Sequence, residues 1–301
     1  MEKKLRVGVV GAGVFGGYHA GKCKSHPRID FAGIYDPNSE RLRAAADKFQ
    51  TTGHSDYASL LGDVDAVIIA APASEHGGAA LAALGAGRHI LIEKPIADTV
   101  DVATKIVEEA ATRDLIVQVG HQERFVLKAI GLDRIEETPV SITGHRRSPY
   151  SERGTDVSVT LDLMSHDLDL VLWLMGKDPV AIEGESKCVR SSAPDMAYAN
   201  LTFASGKASL EASRVEEESS RMMSITYPSG KVDIDFNAKT LVHDTPFDLN
   251  AEFGDDPMAR DSLGAATHAF VEAVLDGKPV PITGGNGLRA LRAALQVDGE
   301  L

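Results

Sequence analysis

Residues 5–16 read LRVGVVGAGVFG, an apolar run followed at once by glycines in the pattern GxGxxG. The apolar run 5–10 predicts a buried strand, and the residues after the glycines predict a helix. In such a turn Gly11 allows the sharp reversal, Gly13 lets the backbone approach a pyrophosphate, and Gly16 lets the helix pack closely on the strand. A glycine-rich turn that only joins a strand to a helix is the alternative interpretation at this point.

The residue after the second predicted strand favours one of these interpretations. Asp36 follows the strand 29–35 and lies 20 positions after the last glycine of the motif. A carboxylate there accepts hydrogen bonds from the adenosine ribose hydroxyls of a dinucleotide and repels a 2′-phosphate. The alternative for Asp36 is a helix cap or an Asx turn before Pro37. The strand, the glycines and the spacing together favour a cofactor site, and NAD over NADP.

The spacing of hydrophobic residues along the sequence changes near Gly120. Up to there, short apolar runs alternate with helical stretches, which predicts an α/β doubly wound parallel sheet, a Rossmann domain, over residues 1–120. Beyond it, short alternating segments with Ser-Gly turns predict an α+β domain with a mainly antiparallel open sheet over residues 121–301. The strands are expected at 5–10, 29–35, 66–70, 89–92, 115–119, 199–203, 207–212, 223–227 and 232–236, and the later helices at 75–84, 100–113, 161–175, 265–275 and 287–297.

Composition excludes several classes of protein. The chain has 301 residues, of which 43% are hydrophobic and 25% charged, as in ordinary globular proteins. No apolar run approaches the roughly 20 residues of a membrane span, and no signal peptide precedes the first strand, so we expect a cytoplasmic protein that binds no membrane. The net charge of −13 argues against a nucleic-acid partner. Cys23, Cys188 and the histidines show no metal-ligand spacing, so we expect no metal.

Lys94 follows the predicted strand 89–92 in the sequence Glu93-Lys94-Pro95. It is therefore expected at the carboxyl edge of the sheet, where doubly wound sheets bind ligands. A lysine there can donate a hydrogen bond to a substrate hydroxyl. It can equally be a solvated lysine at the end of a strand.

Asp162 and His166 lie four residues apart in a predicted helix, which places both side chains on one face. A carboxylate can orient an imidazole and stabilise its charged form, which suits a general base near neutral pH. The alternative is an ordinary pair on a helix surface. His121 is the next candidate for a base.

Four separated motifs occur in order: AAPASEH at 70–76, EKP at 93–95, GHQERF at 120–125 and DLMSHDLDLVLWLMG at 162–176. Together they resemble the Gfo/Idh/MocA oxidoreductases. The resemblance implies a Rossmann domain followed by an α/β domain with an open sheet, and hydride transfer at a sugar or cyclitol hydroxyl. It also implies that Lys94, Asp162 and His166 form the catalytic group and that the Lys94–Pro95 bond is cis.

GHQERF and the stretch 147–162 resemble the branch of that family that oxidises the 3-hydroxyl of UDP-N-acetylglucosamine. This chain continues ERF with Val126-Leu127, where that branch usually has Asn-Pro. His145, Arg146, Arg147 and Arg153 could contact a diphosphate or could be solvated charges. Two other functions stay open, an NADPH-dependent reductase of a small cyclic substrate and a non-catalytic NAD-sensing regulator.

The expectation is thus an NAD-dependent dehydrogenase acting on CH–OH groups, a homo-oligomer formed through its C-terminal sheet. The expected catalytic residues are Lys94, Asp162 and His166. The expected cofactor-binding residues are Gly11, Gly13, Val14, Phe15, Gly16, Asp36, Ala71, Pro72, His76, Glu93 and Lys94. The expected substrate-binding residues are Lys94, Glu123, Arg124, Arg147, Arg153 and His166.

Overall fold

A computed structural model describes residues 3–152, 154–155 and 157–301 of the chain. These residues divide into two compact units. The first unit runs to Gln122 and includes Leu263–Leu288, and the second unit consists of Glu123–Ser262 and Arg289–Leu301.

The helices and strands are numbered here in chain order. They are β1 (Leu5–Val10), α1 (Val14–Ser25), β2 (Ile29–Tyr35), α2 (Ser39–Phe49), β3 (Thr52–His54), α3 (Tyr57–Asp63), β4 (Ala66–Ile69), α4 (Ala73–Gly85), β5 (His89–Ile92), α5 (Val100–Thr112), β6 (Val117–Val119), α6 (Glu123–Ile130), β7 (Ser141–Arg147), α7 (Ser165–Met175), β8 (Ala181–Lys187), β9 (Met196–Phe203), β10 (Gly206–Ser213), β11 (Ser220–Tyr227), β12 (Gly230–Asp235), β13 (Thr240–His243), α8 (Pro257–Arg260), α9 (Ser262–Asp276) and α10 (Gly284–Val297).

The first unit is built on a parallel sheet, as the alternation of strands and helices predicted. Within the described residues its six strands lie in the order β3-β2-β1-β4-β5-β6, and every neighbouring pair is parallel. All four residues of β4 are buried. An uninterrupted apolar strand is expected where helices cover both faces of a sheet. The carboxyl ends of β1, β2, β4 and β5 therefore meet at one edge.

The first unit also contains a segment from late in the chain, residues 263–288, which the sequence analysis assigned to the second domain. In α9, Phe270 and Val271 are fully buried in the same hydrophobic cluster as residues of β1 and β2. The side chain of Gln118 donates a hydrogen bond to the Ala266 carbonyl at 2.8 Å, and Val119 N–H donates to Ile282 O at 2.9 Å. Local sequence pattern identified the helix, but these long-range contacts decide which core it joins.

The second unit contains a mainly antiparallel sheet with one open face, as predicted. Its seven described strands lie in the order β13-β12-β11-β7-β10-β9-β8, and only the β7–β10 pair is parallel. Leu168 and Val171 of α7 share a core with Leu201 of β9 and other residues of one sheet face. Between the buried positions of β9, Tyr198 and Thr202 are exposed. The sheet therefore packs one face against α7 and leaves the other accessible.

The helix predicted over 161–175 has two parts. Thr160–Met164 form a π-helical turn, and α7 continues from Ser165. Such turns are rare and frequently occur at functional sites. None of the helices in the described part of the chain combines the length and apolarity that a bilayer span requires.

Candidate active site

The glycine turn of the first unit has the geometry that its three glycines predicted. Gly11 has φ +98°, in the left-handed region that favours glycine. A Cβ atom on Gly16 would overlap the carbonyl oxygen of Gly11, whereas a Cβ on Gly13 would meet nothing within 4 Å. Gly13 lies at the start of α1, whose first N–H groups carry a partial positive charge. The turn is therefore a cradle that fits a pyrophosphate.

Asp36 connects this turn to the end of β2. The Ala12 N–H donates to its Oδ2 at 2.7 Å, and the Asn38 N–H donates to its Oδ1 at 2.8 Å. The guanidinium of Arg41 also donates to Oδ1, at 3.1 Å. The cap of α2 is Asn38, not Asp36, because the Asn38 side chain accepts from the first N–H groups of that helix. The position of Asp36 beside the turn is the one expected of a ribose-binding carboxylate.

His76 links the ends of two neighbouring strands. Its Nδ1 lies 2.7 Å from the carbonyl oxygen of Pro95, and its Nε2 lies 2.9 Å from that of Ala71. The ring is buried. Both ring nitrogens thus face the backbone, so His76 holds the segments after β4 and β5, including Pro72, in place. The contact of His76 with the cofactor stays a prediction.

Glu93 is also a supporting residue. The buried His19 Nε2–H donates to its Oε1 at 2.8 Å. Burial alone would raise the pKa of Glu93, but the hydrogen bond and charge of His19, together with Lys94 and His76, lower it below its usual value. A Cβ on Gly120 would lie 2.8 Å from the Glu93 carboxyl carbon, so only glycine fits beside it. The next residue, Lys94, is partly exposed, and its bond to Pro95 is cis, as the resemblance implied.

The second unit carries the other two predicted catalytic residues. Asp162 lies in the π-helical turn, and its carboxylate lies beside Gly154, where an added Cβ would come within 2.8 Å of Oδ2. His166 follows in the first turn of α7. The start of the π-helical turn is fixed by Asp298, whose carboxylate accepts hydrogen bonds from the hydroxyls of Ser158 at 2.5 Å and Thr160 at 2.7 Å.

A buried charge network lies next to His166. Nδ1 of His166 is 3.8 Å from Oε1 of Glu123. The guanidinium of Arg146 donates to both oxygens of Glu123, at 2.8 and 2.5 Å, and to both oxygens of Asp167, at 2.8 and 3.1 Å. The carboxylate of Glu123 thus has protein partners, and its expected contact with substrate stays a prediction.

Two of the arginines that are also predicted to contact substrate have carboxylate partners as well. Arg124 is buried, and its guanidinium donates to both oxygens of Asp169, at 2.7 and 2.6 Å. Arg147 alternates with the buried Arg146 along β7, so it points to the opposite, open face of the sheet. There it donates to both oxygens of Glu211, at 2.8 and 2.9 Å. Arg153 lies outside the described residues.

Sequence analysis also missed the buried ion pair between Asp195 and Arg214. Asp195 Oδ2 accepts three backbone hydrogen bonds, from residues 189–191, and Arg214 Nε donates to Oδ1 at 2.9 Å. Nη1 of Arg214 donates to the carbonyls of Gly154 at 2.6 Å and Val157 at 3.1 Å. The pair thus holds the segment that leads into the π-helical turn. No local pattern indicated it, because Asp195 precedes β9 and Arg214 follows β10, and only the pairing of these strands brings them together.

Comparison with known proteins identifies the family. Residues 5–121 match the model of the oxidoreductase family with an NAD-binding Rossmann fold, and residues 136–232 match the GFO/IDH/MocA C-terminal domain. The chain belongs to the Gfo/Idh/MocA oxidoreductases. The resemblance seen in its four motifs is thereby confirmed, and residues 5–121 form the NAD-binding Rossmann fold of this family.

Several relatives resemble the chain over different lengths. UDP-N-acetylglucosamine 3-dehydrogenase of Acidithiobacillus ferrooxidans is 33% identical, over 97% of this chain and 96% of that protein. Its crystal structure superposes with a TM-score of 0.91, covering 100% of this chain and 98% of that one. Inositol 2-dehydrogenase of Corynebacterium glutamicum is 32% identical, over 61% of this chain and 58% of that protein. GenD2 from gentamicin A biosynthesis, solved in complex with NAD, shares the fold at 21% identity and a TM-score of 0.84, covering 100% of this chain and 95% of that one.

Proposed function

We propose that this oxidoreductase is an NAD-dependent dehydrogenase that oxidises a secondary hydroxyl of a nucleotide sugar, namely the 3-hydroxyl of UDP-N-acetylglucosamine. The observation that carries the proposal is the 33% identity to the dehydrogenase of A. ferrooxidans, which extends over 97% of this chain. The match to inositol 2-dehydrogenase covers only 61% of the chain. The rest of the chain resembles only the nucleotide-sugar enzyme of these two relatives, which favours a nucleotide sugar as substrate. The departure from Asn-Pro at Val126-Leu127 makes a direct test of substrate necessary.

The proposed chemistry assigns one task to each of three side chains. When bound, NAD supplies the hydride acceptor for the carbon that bears the hydroxyl. His166 takes the hydroxyl proton at Nε2, since its Nδ1 faces Glu123. Lys94, just after the end of β5, carries a positive charge that suits it to stabilise the negative charge developing on a reacting oxygen. Asp162, one helical turn before His166, orients the imidazole.

The substrate assignment is tested by turnover with alternative alcohols. The purified chain with NAD is given UDP-N-acetylglucosamine, UDP-glucose, free N-acetylglucosamine or myo-inositol, and NADH formation is followed by absorbance. We expect the highest kcat/KM with UDP-N-acetylglucosamine, and transfer of deuterium from its C3 position to NADH. Higher kcat/KM with inositol would contradict the nucleotide-sugar assignment. Binding of NAD without turnover of any alcohol would instead indicate a non-catalytic regulator.

We propose further that copies of the chain associate through the open face of the second unit's sheet. Tyr198 of β9 is 45% exposed there and lines the same groove as Met222 and Ser224 of β11, and an accessible face of this composition suits a protein interface. Light scattering after gel filtration should give a dimer or larger for the natural chain. Tyr198→Glu should lower the mass toward that of a monomer, and an unchanged mass would contradict the role of this face.

We also propose that the chain works in a reducing compartment such as the cytoplasm. Cys23 and Cys188 are both free thiols in the structure, and burial raises the pKa of Cys23 to about 12. Subcellular fractionation tests this location, and recovery of the chain outside the cytoplasm would contradict it.

A further inference from the structure

Four charged side chains from four elements meet on the helix-facing side of the second unit's sheet. They come from α6 (Glu123), β7 (Arg146), α7 (Asp167) and β11 (Arg221). Arg146 is only 2% exposed and lies between the two carboxylates, whereas the side chain of Arg221 is 46% exposed. One buried cation therefore faces two buried carboxylates, and the partly solvated Arg221 is screened by water. The buried part of this network carries an excess of negative charge.

Oε1 of Glu123 is the atom of the network that faces His166. Arg146 Nη1 donates to it at 2.8 Å, His166 Nδ1 lies 3.8 Å away, and Arg221 Nη1 lies 4.0 Å away. Asp167 points elsewhere, because the Nε and Nη2 atoms of Arg146 take up both of its oxygens. Asp169 of α7 is held by Arg124, and Asp162 lies in the π-helical turn, one turn before His166.

We propose that Glu123 is a positioning residue, which fixes the ring of His166 and stabilises its protonated form from the Nδ1 side. The inference rests on the proposed role of His166 as the base, and it adds an acid to the one that the DxxxH motif supplies. Arg146 has the supporting task of holding the Glu123 carboxylate in one orientation through two parallel hydrogen bonds. Glu123 thereby sets the pH range over which His166 can accept a proton.

The protonation of the two carboxylates supports this division of roles. Burial would raise the pKa of Glu123, but the charges of Arg146, His166 and Arg221 and the hydrogen bonds of Arg146 lower it well below its usual value. Burial and the charge of Glu123 together raise the pKa of Asp167 above its usual value, although Arg146 and Arg221 lower it. Glu123 therefore keeps its charge near neutral pH, so the group that faces His166 is ionised.

The test is a titration of the His166 ring by NMR, which needs no turnover. In Glu123→Gln the negative charge next to Nδ1 is lost, so the pKa of His166 should fall by about one unit or more. The acid limb of the kcat/KM profile should move to lower pH by the same amount. Glu137→Gln is the matched control, because this carboxylate accepts from Ser229 in another part of the second unit and should leave the His166 titration unchanged.

Glu123→Gln leaves Arg146 partly unpaired, and a second variant is used in case this prevents folding. Glu123→Asp keeps the charge but withdraws it from Nδ1 by one methylene, so the His166 pKa should fall by less than in the glutamine variant. An unchanged His166 titration in either folded variant overturns the inference. Full activity in His166→Ala would instead overturn the proposed base, while the ring titration would still report on Glu123.

Discussion

The two units hold their functional side chains in different ways. In the first unit the supports are largely backbone groups: Asp36 accepts from the N–H groups of Ala12 and Asn38, and His76 faces two carbonyl oxygens. In the second unit the supports are buried ion pairs, Arg146 between two carboxylates and Arg214 with Asp195.

This difference has consequences for how each unit tolerates change. A backbone support persists when a neighbouring side chain is replaced, provided that the turn keeps its shape. A buried ion pair is less tolerant, since removing one partner leaves the other charged and desolvated. We therefore expect substitutions in the second unit to affect rate and stability strongly, and substitutions around Asp36 to change mainly cofactor preference.

The largest expected effect separates chemistry from cofactor binding. His166→Ala should lower kcat on the order of 100- to 10,000-fold, because a general base is lost. Its affinity for NAD, measured by calorimetry, should stay unchanged, since the cradle belongs to the first unit. Asp162→Asn should lower kcat by less, because it only orients the ring. Loss of NAD affinity together with activity in His166→Ala would contradict the idea that His166 serves the chemical step alone.

The next effect concerns stability. Asp195→Asn should lower the free energy of unfolding by about 3 kcal/mol, because it breaks a buried pair. Glu211→Gln, which affects the partly exposed pair with Arg147, should cost less than about 1 kcal/mol. Urea titrations followed by circular dichroism measure both. Equal losses in the two variants would remove the contrast between buried and exposed pairs.

The same pair predicts a pH dependence. Burial would raise the pKa of Asp195, but its backbone hydrogen bonds and Arg214 lower it below its usual value. The stability that Asp195 contributes is therefore complete above its unfolded pKa of about 3.9 and is lost as the pH falls toward the folded pKa. Acid titration of the natural chain and of Asp195→Asn should converge at low pH. Curves that stay parallel would contradict the assignment.

The smallest effect is expected at the cofactor site of the first unit. The guanidinium of Arg41 lies 3.1 Å from Oδ1 of Asp36 and offsets its charge, which reduces the repulsion of a 2′-phosphate. Because Arg41 is exposed, Arg41→Ala should raise the preference for NAD over NADP by only about 2- to 5-fold. Asp36→Ala should narrow the preference instead. The dissociation constants of NAD and NADP measure this preference in each variant. A weaker preference for NAD in Arg41→Ala would contradict the proposal that Arg41 offsets the charge of Asp36.

Strand β7 was not among the strands predicted from the sequence. Its sequence SITGHRR lacks the apolar alternation that revealed its neighbours, because glycine and arginine occupy inward positions. Arg146 is buried there only because Glu123 and Asp167 neutralise it. A charged residue signals a surface position unless its partners are known, and those partners lie on other elements.

The sequence by itself determined the parallel sheet of the first unit, the glycine turn with Asp36 beside it, the open antiparallel sheet and the family. The sheets and the turn depend on residues close together in the chain, where periodicity and turn chemistry dictate the backbone, and the family is indicated by four separated motifs. Only the tertiary structure decided that α9 joins the core of the first unit, that Glu123 faces His166, and that Arg124 and Arg147 already have carboxylate partners. Such pairings follow from which elements the fold brings together, and the charge of a side chain alone does not specify its partner.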